Sequence, residues 1–224
     1  MIDTKENILI VALRLFAKDG YEAVSVSKIA GELGITKGAL YKHYKNKRGI
    51  FDSIVERMFQ LDNELARKYR VPDSTFENTP DQYTKIDLGN LKDFALSQYR
   101  FWTQDEFASN YRKMLTLEQY RNSELSKLFQ DCLVGGPVLY LENIFREMIS
   151  SKVLKENDPY QLAIEFFSPL FLFINMYNED SDNVKAENKL VAYIERFIEH
   201  NTIWGCVAWN LNGFYVLYAE IKHD

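Results

Sequence analysis

The feature that most constrains this chain is a short spacing near its N-terminus. Ile29-Ala30 is followed at a fixed interval by Gly34-Ile35 and then by Leu40. Two helices that cross closely over a tight turn need this arrangement. Ala30 is small enough for the second helix to approach. Gly34 is placed to take a positive φ, which costs little only without a Cβ. Ile29, Leu33, Ile35 and Leu40 fill the small core between the two helices. This is the spacing of a helix-turn-helix, whose second helix offers its N-terminal residues to a major groove. The exposed positions of that helix are Thr36, Lys37, Gly38, Ala39, Tyr41, Lys42 and His43. Gly38 and Ala39 let the helix sit close to base edges, and Lys37 and Lys42 suit phosphates or guanine acceptors. Tyr44 and Lys47 lie at the far end, where a hydroxyl and an ammonium can clamp the DNA backbone. The competing reading is a small helical bundle with an incidental basic face.

Charge weighs between the two. The formal net charge of −5 argues against nucleic acid, but its distribution does not. Residues 1–50 carry nine Lys/Arg and five Asp/Glu, whereas the remainder carries 18 and 27. Within Thr36–Arg48 stand Lys37, Lys42, Lys45, Lys47 and Arg48 and no acid. A small basic head on an acidic body is the asymmetry expected of a DNA-binding head whose body does something else.

The rest of the chain reads as helix. With 10 Gly and 5 Pro in 224 residues, turn-rich β architecture is disfavoured. Ile8, Val11, Ala12, Leu15 and Phe16 form one apolar stripe, with Thr4 placed as cap and Gly20 as a left-handed stop. A second helix starts after Ser25 or Ser27, and a third runs from Thr36 to about Tyr44. A long fourth helix begins at Asn46 or Lys47 and fades near Tyr69, before Val71-Pro72. Residues 70–87 read as a loop. Helical patterns follow at Leu88–Trp102, Asp105–Tyr120, Ser123–Ser151, Pro159–Tyr177 and Asn183–Asn201. Gly135-Gly136-Pro137 predicts a kink or break in the third of these. The fold class is therefore all-α, about nine helices: a three-helix head over residues 1–47 and a larger helical body over 48–202.

Residues 203–224 stand apart. Ile203–Ala219 carries no charge, and Asn212-Gly213 is a hairpin-turn signal. This stretch is at the short edge for crossing a membrane. The favoured expectation is an apolar tail that packs on the body or on a second copy.

The head resembles the N-terminal domain of the TetR family of transcriptional regulators. The matching residues are Phe16, Gly20-Tyr21, Val24-Ser25-Val26, Ile29-Ala30, Leu33-Gly34-Ile35-Thr36, Gly38, Leu40-Tyr41, His43-Tyr44 and Asn46-Lys47. Arg48-Gly49 departs from the pattern, since the family usually has acidic residues there. The resemblance implies a homodimeric regulator, usually a repressor, that binds a palindromic operator and is released by a small effector. It implies groove contacts from Thr36, Lys37, Gly38, Ala39, Tyr41, Lys42 and His43. It implies phosphate contacts from Tyr44 and Lys47, and from Ser25, Ser27 and Lys28 at the start of the second helix.

Leu162–Tyr177 is apolar almost all round, so it must be covered on both sides. A second chain is the natural cover, and the helices at about 159–177 and 183–201 are where the family dimerises. The alternative is a helix enclosed within one chain. The body is rich in large aromatics, and Pro137 and Pro169 are expected to kink two helices and leave space between them. Tyr99, Trp102, Phe129 and Phe166, with Glu118, Gln119 and Cys132 as polar contacts, are the candidate pocket residues for an apolar or aromatic effector.

Catalysis is not indicated. His43, His200 and His223 sit in no triad or metal setting, and there is no Gly-rich nucleotide loop and no G-x-S-x-G or H-E-x-x-H motif. Cys132 and Cys206 form neither a disulfide framework nor a zinc pair. No cofactor and no metal are expected. The first residues lack the pattern of a signal peptide, so the expected compartment is the cytoplasm. The remaining rivals are a DNA-binding protein whose body binds another protein and a regulator tethered to a membrane by its tail.

Overall fold

The computed structural model describes residues 4–69, 88–177 and 182–203. These form ten helices: α1 (Thr4–Asp19), α2 (Val26–Glu32), α3 (Lys37–Tyr41), α4 (Lys47–Lys68), α5 (Leu88–Gln104), α6 (Glu106–Glu118), α7 (Ser123–Leu133), α8 (Gly135–Ser150), α9 (Pro159–Met176) and α10 (Asn183–Asn201). Among the described residues the only β pairing is an isolated antiparallel bridge between Leu154 and Thr202. The all-α reading therefore holds, with a three-helix head and a larger helical body. The expected loop at 70–87 and the tail beyond Ile203 lie outside the described residues. Among the described residues no helix is long and apolar enough to cross a membrane.

The local signals act as written in the sequence. Ser25, Thr36 and Asn46 each accept a backbone N–H three residues on and so cap α2, α3 and α4. Asp105, Asn122, Asp158 and Asp182 do the same for four body helices. Thr4 is already the first residue of α1, and the cap position before it lies outside the described residues. Gly20 ends α1 at φ 87°, and the Tyr21 ring stands edge-on to Phe16 with centroids 5.1 Å apart. Gly34 takes φ 64° in the turn before α3. Helix α3 stops earlier than the expected Tyr44. Lys42 N–H and His43 N–H bond back to the carbonyls of Ala39 and Leu40 at 3.2 and 2.9 Å, a tightened last turn that uses up the helix.

The stretch 123–151 breaks rather than bends. Val134 sits at φ −131°, ψ −85° between α7 and α8. Pro137 falls in the first turn of α8, where its missing N–H has no partner to lose, so the expected kink there does not occur. The chain reverses so tightly that a Cβ on Gly136 would lie 1.8 Å from the Asp131 carbonyl oxygen. Pro169 does lie inside α9.

One apolar cluster runs from Ile8, Phe16, Ile29 and Leu40 in the head through Ile54 and Met58 of α4 into the body. Helix α1 packs against α2, α4 and α6, and Leu9 and Leu13 are buried beside the expected stripe. In the body, α9 packs on α8, α10 and α5. Phe145, Phe166 and Phe197, one from each of α8, α9 and α10, form a triangle of rings with centroids 5.2–5.7 Å apart. Among the described residues, only one side of α9 is covered. Leu162, Phe166, Leu170 and Ile174 are buried, while Leu172 is 56% and Met176 63% exposed.

Candidate DNA-binding head and body cavity

The head presents its basic face as a set of open side chains. Ser25, Ser27, Lys28, Thr36, Lys37, Gly38, Tyr41, Lys42 and His43 are exposed, and Ala39 is half-buried. The capping hydroxyls of Ser25 and Thr36 accept from Lys28 N–H at 3.2 Å and Ala39 N–H at 3.1 Å. Each keeps its own O–H free to donate, as a phosphate oxygen requires. Lys37 Nζ lies 5.8 Å from the Tyr41 ring centre, so the two side chains are held together on the outer face of α3. Lys28 pairs with Asp19 at 2.8 Å across solvent. A surface pair of this kind is worth little and yields to a stronger anion.

Two residues expected at phosphates have partners within the chain. Tyr44 is 5% exposed, with its ring in the core and its hydroxyl donating to the Lys5 carbonyl at 3.5 Å. It follows Leu40 by one turn and so shares the buried side. Lys47 is half-buried. Its ammonium donates to the carbonyls of Tyr21 and Glu22 at 3.0 and 3.3 Å and lies 4.3 Å from the Tyr21 ring centre. It ties the start of α4 to the turn between α1 and α2.

The joint between head and body is polar as well as apolar. Glu118, expected in the pocket, is 1% exposed and accepts the Tyr21 backbone N–H at 3.0 Å. Arg48, the departure from the family pattern, grips Glu124 of α7 through two bonds of 2.6 and 2.7 Å and Asp52 through a third of 2.6 Å. The guanidinium holds the Glu124 carboxyl below its ordinary range.

The body contains a cavity of about 380 Å³ walled by α4, α5, α7, α8 and α9, with Arg112 of α6 reaching it. Of the candidate pocket residues, Trp102, Phe129, Cys132 and Phe166 line it. Tyr99, Glu118 and Gln119 do not. Tyr99 is buried in the core, Glu118 serves the joint, and Gln119 caps α6 with its amide donating to the Thr116 carbonyl at 3.1 Å. The polar lining is instead Asp62, Gln98 and Arg112, with Asp131, Asn143 and Asn175. Gln98 donates to Asp62 at 3.2 Å. Burial raises the Asp62 pKa above the ordinary carboxylate range, and the Gln98 bond only partly offsets it. Burial, then the nearby Asp62, pushes the Cys132 thiol up to about 12. Such a thiol stays protonated and is no nucleophile. Arg112 is 9% exposed and spends its Nε on the Trp102 carbonyl at 3.1 Å. Among the described residues no three His, Cys, Asp or Glu gather to hold a metal ion.

Residues 8–54 match the family profile described as bacterial regulatory proteins, tetR family. Over these residues the head is similar to the TetR family. The chain's similarity to an uncharacterized HTH-type transcriptional regulator of Bacillus subtilis (strain 168), YerO, is 38% identity over 195 residues, 83% of this chain. The chain spans 62% of the length of that relative. It is 23% identical over 176 residues to IcaR of Staphylococcus epidermidis, named as a negative transcriptional regulator of the biofilm operon icaADBC, covering 77% of this chain and 81% of IcaR. Likeness of fold extends beyond the head. A complex of SmeT with triclosan superposes with a TM-score of 0.62 at 18% identity, over 90% of this chain and 93% of the other. SmeT is described as the repressor of a multidrug efflux pump of Stenotrophomonas maltophilia.

Proposed function

We propose that this chain is a cytoplasmic TetR-family transcriptional repressor that binds a palindromic operator as a homodimer and is released by a small effector. The observation that carries the reading is that α4 belongs to both working parts. It starts under the head, where Lys47 fastens it to the α1–α2 turn, and its Met58, Asp62 and Ala66 form a wall of the cavity. From Lys47 to Asp62 is roughly 22 Å of helix at about 1.5 Å per residue. A ligand that shifts this wall therefore shifts the head. Repression is the mode named for IcaR, and a small molecule accompanies SmeT in its solved complex.

In this reading residues 1–47 are the DNA-binding unit and 48–202 the effector and dimer unit. Thr36, Lys37, Gly38, Ala39, Tyr41, Lys42 and His43 meet the groove, and Ser25, Ser27 and Lys28 meet phosphates. Two copies join through α9 and α10, which covers Leu172 and Met176. The recognition helices then stand about 34–36 Å apart, one turn of DNA. By linkage, operator weakens effector binding by the factor that effector weakens operator binding.

The test is selection of genomic fragments by the purified protein near 150 mM salt, with the double substitution Lys37→Ala, Tyr41→Ala as control. A palindrome enriched by the native chain and lost by the control supports the reading. Retention of DNA without sequence preference would reduce the head to an electrostatic binder.

A further inference from the structure

The cavity holds an imbalance of charge that the fold itself does not resolve. Arg112 lines it and is almost wholly withdrawn from solvent. Its Nε has a partner in the Trp102 carbonyl, but among the described residues no carboxylate stands within ion-pair distance of its guanidinium. Burial disfavours this charge, yet a guanidinium does not give up its proton in a protein. A buried charge without a counter-charge is among the costliest features a fold can carry.

Asp62 makes no opposite demand. Its carboxylate already accepts a hydrogen bond from the Gln98 amide within the wall. Asp131, the other acid of the lining, is exposed to solvent. The rest of the wall is aromatic and aliphatic, with Phe94, Phe129 and Phe166 prominent. Apart from the nearby Tyr177 phenol, no group among the described residues answers the Arg112 cation in this apolar chamber.

We infer that the cavity takes an apolar organic anion, a carboxylate head on a hydrocarbon or aromatic body, with the Arg112 guanidinium as its counter-ion. The planar fork of Arg112 matches a carboxylate in a two-point contact once Nε is committed to Trp102. The apolar body of the ligand replaces water against the rings. This assignment names the ligand class for the effector site and rests on that reading of the cavity.

The experiment is calorimetric titration of the full chain near pH 7.5 with three ligands that share a ten-carbon body: decanoate, decanol and decyltrimethylammonium. Decanoate is expected to bind about tenfold or more tightly than decanol, as a buried charge contact warrants. Arg112→Gln should lose that advantage while binding decanol within about twofold of the native chain, which also shows that the pocket still folds. Arg112→Lys, which keeps the charge without the fork, should fall between. Tighter binding of decyltrimethylammonium than of decanoate, equal decanoate affinity in Arg112→Gln, or no binding of any of the three overturns the inference. Operator release is measured in parallel and separates the two proposals. Decanoate that binds without releasing operator upholds the ligand class and refutes the regulatory reading. Release by the cation or the alcohol but not by decanoate does the reverse.

Discussion

Replacing Gly136 by alanine tests the tightest backbone approach in the body. The added Cβ would lie 1.8 Å from the carbonyl oxygen of Asp131, 2.8 Å from its carbonyl carbon and 3.3 Å from its Cα. All three atoms are main chain, so no side chain can swing aside. Either α7 and α8 separate or the break at Val134 reorganises. Overpacking of this kind costs about 1–3 kcal/mol and more where the neighbour cannot give, so about 3 kcal/mol is the expected penalty. Alanine regains about 1 kcal/mol of helix propensity, leaving a net loss of about 2 kcal/mol. At roughly 2–4 °C per kcal/mol for a chain of this size, the melting temperature should fall by about 4–8 °C. The adjacent Gly135 is the internal control, because its added Cβ would meet nothing nearer than the Gln130 carbonyl at 3.9 Å. Gly135→Ala should be neutral or stabilising by about 0.5 kcal/mol. Thermal unfolding followed by circular dichroism at 222 nm reads both. If Gly136→Ala melts within about 1 °C of the native chain, or the two variants shift alike, the close approach of α7 and α8 is refuted.

Three further outcomes follow from particular contacts. Glu118→Ala leaves the Tyr21 N–H without its acceptor in a buried joint and should cost about 1–3 kcal/mol in urea unfolding; an unchanged midpoint would deny the joint. Phe197→Ala opens the triangle of Phe145, Phe166 and Phe197 and should cost about 3–5 kcal/mol, where a loss below about 1 kcal/mol would mean that the rings are not packed as described. The Asp62 carboxyl holds its proton more tightly in the native state than in the unfolded chain. Stability should therefore decline as pH climbs from the ordinary aspartate value of 3.8 toward the raised native one. Asp62→Asn should abolish that component of the decline and raise the melting temperature at neutral pH; a parallel pH profile in the two proteins would contradict the burial of Asp62.

The head was legible because its determinants are local. Caps at Ser25, Thr36 and Asn46, left-handed glycines at 20 and 34, and a two-helix core of Ile29, Ala30 and Leu40 are read from neighbours a few residues apart. The burial of the Tyr44 ring is legible too, in its register with Leu40. The cavity is legible in part. Trp102, Phe129 and Phe166 are found by type and Cys132 as a polar contact, but their companions Asp62, Gln98 and Arg112 are not. A signal for those companions did exist. Asp62 stands one turn from both Met58 and Ala66 on the buried stripe of α4, Gln98 lies between Ala95 and Trp102 on α5, and Arg112 lies between Ala108 and Leu115 on α6. A polar residue where the period calls for an apolar one is the mark of an internal polar surface. Glu118 carries the same mark and serves the joint instead. Only the packing of α1 against α6 decides between these two uses, and no local pattern contains it.

That packing also bears on how the molecule comes apart. Because α1 is buried against α4 and α6 as well as α2, and the apolar cluster is continuous from Ile8 to Phe197, the head has no separate interior to fall back on. The helix α3 and the cavity then belong to one cooperative unit. The amides of Leu40 and Phe145 should exchange with solvent through the same global opening. Occupancy of the chamber would slow exchange at both by an equal factor, since whatever stabilises the body is felt in full where the chain meets DNA.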